Sequence, residues 1–212
     1  MKKTIFAVCL FLTMTGLMLS GAEKRVPVMW KSSVRPPYKN FQTYAFGFLG
    51  EAKEYTFVFQ IKNLAGFLQS ERPFLTCYFN ADNDAQTGLF PKKCGWDLQF
   101  NLDLKRNNLA AMFWRRESLE STYSFAQGEF LVYQQDDLLF LTVQKNVYFK
   151  NIRFGRNFTF AQLLASPDLD RKKTRSMVET PQQTTSGEFG KQAFILPDLR
   201  MQKLAEQAKE NK

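Results

Sequence analysis

The chain has no histidine. That absence removes the Ser-His-Asp and Cys-His nucleophile systems, together with His-ligated zinc and His-ligated haem. Cysteine is scarce, at three residues, and the one long run without charge, Ile5 to Leu19, lies at the N-terminus. A polytopic membrane protein is therefore excluded. What the chain does have is aromatic side chains: 22 phenylalanines among 212 residues, in a sequence 44% hydrophobic and 23% charged. Such a composition excludes a disordered polymer and predicts a single ring-packed core. No internal repeat or linker divides the sequence, so one domain is expected, over residues 23–197.

The N-terminus reads as a processing segment. Lys2 and Lys3 precede the apolar run, and Ser20-Gly21-Ala22 sets small residues where a peptidase would cut. Residues 1–22 thus have the form of a bacterial-type secretory signal peptide, and the run is short for a membrane anchor. Neither Ala22 nor Glu23 is the cysteine that lipidation requires. The expected location is secreted or periplasmic, with no membrane span in the mature chain. Cleavage removes Cys9 and lowers the formal charge of +9 by two. Cys77 and Cys94 remain, and an exported protein with two cysteines is a candidate for one disulfide, worth about 3 kcal/mol by the chain-entropy estimate. Two buried thiols are the alternative. The excess of positive charge is scattered. Its densest cluster, Arg171, Lys172, Lys173 and Arg175, has no interleaved aromatics, so no nucleic-acid partner is expected.

Strand-like alternation runs from about residue 41 to 165. Tyr55, Phe57, Phe59 and Ile61 share one face, as do Trp96, Leu98, Phe100, Leu102 and Leu104. Further strands are expected at Phe41–Phe48, Phe74–Phe79, Leu109–Trp114, Phe130–Tyr133, Leu138–Val143 and Phe158–Leu164, with a hairpin turn at Gln134–Asp137. Short strands between Gly, Asn, Asp and Pro predict an all-β, antiparallel β-sandwich. Residues 166–191 read as a long polar loop, and Asp198 as the cap of a short C-terminal helix over 198–212.

The chemistry concentrates between two of these strands, in Asn80-Ala81-Asp82-Asn83-Asp84-Ala85-Gln86-Thr87-Gly88 and then Cys94-Gly95-Trp96-Asp97. Calcium takes six to eight oxygen ligands, and a turn rich in Asx side chains supplies several at once. Asn80, Asp82 and Asp84 are candidate ligands, Gln86 adds a backbone carbonyl, and pairing of the flanking strands would return Asp97 to close the site. The loop lacks the glycine, the bidentate glutamate and the flanking helices of an EF-hand. A metal-free turn held by Asx hydrogen bonds is the competing reading. By alternation, Cys77 and Cys94 point to one face at the base of the loop.

Asn80-x-Asp82-Asn83-Asp84-x-x-Thr87-Gly88, followed by Gly95-Trp96-Asp97-Leu98-Gln99-Phe100, resembles a D-x-D-N-D-x-x-T-G … G-x-D-Y-x-I signature. It is similar to that of secreted β-sandwiches of the family-nine carbohydrate-binding-module and DOMON-like kind, over roughly residues 40–172. The resemblance implies a Greek-key or jelly-roll-like sandwich, a structural calcium and often carbohydrate binding. Asn80 departs from the acidic first position of the motif, and the missing histidine removes the haem ligands used by some relatives.

Sugars stack on exposed aromatic rings while polar neighbours bond their hydroxyls. Trp114 with Arg115 and Arg116 is the best candidate, then Trp30 and Tyr123; Trp96 is expected in the core. Glycoside hydrolysis needs paired acids; the acids here cluster in a metal-like loop that would hold them ionised, and Asp168 with Asp170 and Glu117 with Glu120 form pairs only on paper. The expected function is non-catalytic: a calcium-stabilised sandwich that binds a polysaccharide or cell-envelope glycan. The alternative is a structural or protein-interaction module with no sugar site. Asn157-Phe158-Thr159 matches a glycosylation sequon that a bacterial-type exported protein does not use.

Overall fold

A computed structural model describes residues 24–31, 41, 43–89, 94–154, 158–167 and 192–196. The expected signal segment, most of the expected polar loop (residues 168–191), Asn157 of the sequon and the expected C-terminal helix lie outside the described residues. The chain forms two antiparallel sheets, as its alternation predicts. β1 (Lys24–Lys31), β2 (Thr43–Gly50) and β3 (Glu54–Ile61) open the first sheet. A short helix, α1 (Leu64–Leu68), carries the chain over to the second sheet. There β4 (Phe74–Asn80), β5 (Leu98–Asp103), β6 (Asn108–Arg115) and β7 (Ser118–Ser124) follow as a meander.

The chain then returns to the first sheet as β8 (Phe130–Gln135) and β9 (Leu138–Gln144). A 3₁₀ turn, Val147–Asn151, leads back to β10 (Thr159–Ala165), and β11 (Ala193–Leu196) ends the series. The sheet orders are β11-β1-β2-β3-β9-β8 and β10-β4-β5-β6-β7. Pairing β3 with β9 and β4 with β10 makes each sheet from distant parts of the sequence. One compact unit, Arg25–Phe194, carries the sandwich but for the outermost residues of β1 and β11. Among the described residues no helix is long and apolar enough to cross a membrane.

The core is aromatic, and it forms where the inner faces meet. Phe46 and Phe57 of the first sheet lie over Phe160, Phe79 and Phe100 of the second, with Phe46 and Phe160 centroids 4.1 Å apart and Phe57 and Phe79 5.0 Å apart. Tilted and edge-on geometries predominate among these rings, as their quadrupoles favour. Alternation alone does not anticipate that Val58 and Phe140 are also buried, on the opposite face of the first sheet. Trp96 is buried, at 6% exposed, as expected, and its indole packs on Tyr78 at 6.1 Å. Gly95, at φ +61, breaks the alternation between it and Cys94.

The same break corrects the expected disulfide. Cys77 sits mid-strand in β4 opposite Phe100, its side chain fully buried in the core. Cys94 lies in the loop beside Asn80, whose Nδ2 donates to its carbonyl at 2.8 Å. Asn80 is three residues beyond Cys77, about 10 Å along a strand at 3.3 Å per residue, whereas a disulfide needs Cα atoms within about 7 Å. Both residues carry thiols. Burial pushes the Cys77 thiol well above its ordinary pKa, leaving it unreactive. Iodoacetamide should leave Cys77 unlabelled in the native protein and modify it only after unfolding. Labelling that appears only with added reductant would contradict this arrangement.

Candidate metal centre

β4 ends at Asn80 and β5 begins at Leu98, so the loop between them must leave the sheet and come back. Register governs the return: Phe79 pairs with Leu98, and the Asp97 N–H donates to the Phe79 carbonyl at 2.8 Å. Asp97 therefore stands across from Asn80, only 7% exposed, and accepts from the Ala81 N–H at 2.9 Å. Two glycines permit the close return. Gly88 and Gly95 have φ +64 and +61, and a Cβ on them would lie 2.3 Å from the Trp96 carbonyl oxygen and 2.4 Å from that of Asp84. Any side chain there is strained and obstructed. Leu89 and Trp96 then exchange backbone hydrogen bonds of 2.7 and 3.0 Å across the gap.

The return sets Asp82 and Asp97 around one hydroxyl. Thr87 Oγ1 lies 3.1 Å from Asp97 Oδ1 and 3.3 Å from both Asp82 oxygens, and 2.9 Å from the Asp84 carbonyl. Below them Asn80 is 3% exposed, and its Oδ1 is buried without a hydrogen-bond partner. An orphaned buried acceptor of this kind costs about 1–3 kcal/mol unless something fills the place of the missing donor. The Asp84 side chain is placed differently from the expectation. Asp82 Oδ1 accepts from the Asp84 N–H at 2.9 Å, and Asp84 Oδ1 accepts from the Gln86 N–H at 2.8 Å. These are Asx turns, which engage the Asp84 carboxylate within its own loop. The expected convergence of three carboxylates is thus reduced to two. Among the described residues no group of three or more His, Cys, Asp or Glu side chains is placed to hold a metal ion.

Crowding two acids changes their protonation. Burial first, and then the charge of Asp82, push the Asp97 carboxyl from its ordinary 3.8 up to about 6, against the lowering hydrogen bonds from Ala81 and Thr87. The folded chain therefore holds a proton that the unfolded chain has released between about pH 4 and pH 6. Stability of the chelator-treated protein should fall as pH rises through that window and level off above it. Urea midpoints measured from pH 4 to 8 test the sign, and a midpoint that rises across the window would refute it.

A cavity of about 390 Å³ opens directly over this centre. Asp82, Thr87 and Asp97 form one wall, and Trp114 and Arg115 form another. β6 reaches the loop because the Trp114 N–H donates to the Asp97 carbonyl at 2.9 Å, and an irregularity in register between Phe113 and Trp114 re-aims the indole. The indole is half-buried, and its Nε1 is enclosed with no acceptor. The β6–β7 hairpin turns through Arg116 and Glu117 at φ +48 and +67, and the Glu117 N–H donates to the Gly88 carbonyl at 2.9 Å. Arg115 meets Glu120 at 3.8 Å in an exposed, weak pair.

Sequence reasoning missed Arg153 and Ile152, which close the cavity's third side from the segment before β10. No local motif marks them, and only the topology brings them to Trp114. Trp30 is not brought there. It lies in the first sheet, edge-on to Phe160 at 6.0 Å and half-buried against the core. Glu117 and Glu120 belong to the hairpin, while Asp168, Asp170 and the basic cluster at Arg171–Arg175 lie outside the described residues. Comparison with known proteins finds no matching family model, no matching curated protein and no matching solved structure.

Proposed function

We propose that the chain is a non-catalytic β-sandwich, steadied by one calcium ion, that binds a polysaccharide or cell-envelope glycan in the cavity beside Trp114. The observation that carries this reading is the shared cavity, where paired acids, two arginines and a half-buried aromatic residue meet. An aromatic face with converging polar groups is what a sugar ring needs. The donor set suits calcium, being all oxygen: the Asp82 and Asp97 carboxylates, the Asn80 amide oxygen and the Thr87 hydroxyl, with backbone carbonyls such as that of Asp84. When bound, the ion supplies positive charge that cancels the repulsion between the two acids.

The orphaned Asn80 oxygen supports the fit, since a cation satisfies it without a donor. Asp84 and Gln86 then serve by shaping the loop. Only two carboxylates face the site, which favours weak binding of the kind used by extracellular modules, with Kd of about 10⁻⁴–10⁻³ M. That accords with export through the signal segment at residues 1–22. The loop motif's likeness to family-nine carbohydrate-binding modules and DOMON-like domains points the same way.

Retention on immobilised neutral and acidic polysaccharides tests the binding role. Trp114→Ala should weaken retention at least tenfold while leaving the fold intact, since loss of an aromatic stacking partner removes about 0.5–1.5 kcal/mol beyond area burial, and the buried face adds to it. Absence of retention on every polymer would favour a structural or protein-interaction module.

A further inference from the structure

The cavity carries more charge than a neutral sugar requires. Three acids (Asp82, Asp97 and Glu120) and two arginines (Arg115 and Arg153) line it, Arg115 from the end of β6 and Arg153 from the segment before β10. Arg115 has only the long, exposed contact to Glu120, with 69% of its own side chain accessible. Arg153 is exposed and has no ion pair among the described residues. Two weakly engaged guanidinium groups facing one chamber form a receptor for a carboxylate, which they recognise through paired N–H donors. The volume lies in the range of about 300–1,000 Å³ typical of small-molecule sites.

We propose that the preferred ligand is a saccharide bearing a carboxylate, of the uronic-acid class, with its anion held between Arg115 and Arg153. This rests on the glycan reading above and sharpens it. The acidic wall makes the preference conditional. While Asp82 and Asp97 are both charged they repel a second carboxylate, so acid-sugar binding requires that wall to be neutralised. Calcium and the ligand should then bind cooperatively, each tightening the other by the same factor. Arg116, although adjacent in sequence, is turned away by the hairpin and does not line the cavity.

The test is calorimetric titration with two disaccharides that differ only in one carboxylate, cellobiouronic acid and cellobiose, with calcium and with chelator. In calcium the acid should bind at least tenfold more tightly than its neutral counterpart. Arg153→Gln and Arg115→Gln should each reduce that preference, and the double variant should abolish it. Chelator should reduce binding of the acid more than that of the neutral sugar. Equal affinities, no binding of either, or a preference retained in the double variant would overturn the proposal. Melting curves and polysaccharide retention on the same samples separate the failures. A calcium-dependent melting shift with retention on a neutral polymer, but no preference for the acid, sinks this inference and leaves the glycan reading standing. No retention on any polymer sinks both.

Discussion

Chelation of calcium should lower the melting temperature of this protein by about 5–10 °C. A ligand present at 100 times its dissociation constant, which for a Kd of about 10⁻⁴–10⁻³ M means about 10–100 mM calcium, contributes about 2.7 kcal/mol, and each kcal/mol shifts the midpoint of a domain of this size by about 2–4 °C. Asp82→Ala should remove the difference, because Asp82 and Asp97 are the two acids that meet at Thr87. Asn80 supplies a sharper test. Asn80→Asp adds a third acid beside Asp97 in a site that is almost closed to water. With calcium it should raise the midpoint and tighten binding. With chelator it should lower the midpoint below wild type, because three carboxylates then repel one another. A metal-free Asx turn predicts only the second effect, so a variant destabilised equally with and without calcium would refute the ion site.

The sandwich was legible because its strands alternate strongly, as in the Tyr55–Ile61 run, and eight expected strands are found with small shifts at their ends. β7 was not legible. Its sequence, SLESTYS, has no apolar periodicity, and it joins the sheet by pairing with β6 and by placing Tyr123 against Phe125 at 5.0 Å. β1 and β11 were missed for similar reasons: Pro27 interrupts the first, and the second has only four residues. The candidate site was legible as a set of oxygen-bearing residues but not as a geometry. Alternation does not carry through Gly95, whose left-handed backbone breaks it, so Cys94 does not share the parity of Trp96 and the cysteine pair fails. The Asp84 carboxylate was counted toward the ion because local Asx turns and metal ligation draw on the same residues. Arg153 lies far from Trp114 in sequence, and no local pattern connects two sides of a cavity built from separate strands.

Phe79→Ala should cost about 3–5 kcal/mol, the range for deleting a buried ring from a core, and lower the melting midpoint by about 6–20 °C. Phe79 is fully buried, and its ring lies 5.0 Å from Phe57, 5.9 Å from Phe100 and 6.4 Å from Phe160, so its removal leaves a void shared by both sheets. Phe79→Leu retains most of the volume and should cost less, about 1–1.5 kcal/mol. Together the variants probe a link between the core and the site. The Phe79 carbonyl accepts the Asp97 N–H, and Asn80 follows it directly, so the position of this ring fixes where the loop leaves the sheet. If that link holds, Phe79→Leu keeps the calcium-dependent rise in midpoint, while Phe79→Ala loses part of it through movement of the β4 end. A full calcium response in the alanine variant would instead mean that Gly88, Gly95 and the Asx turns position the loop without help from the core.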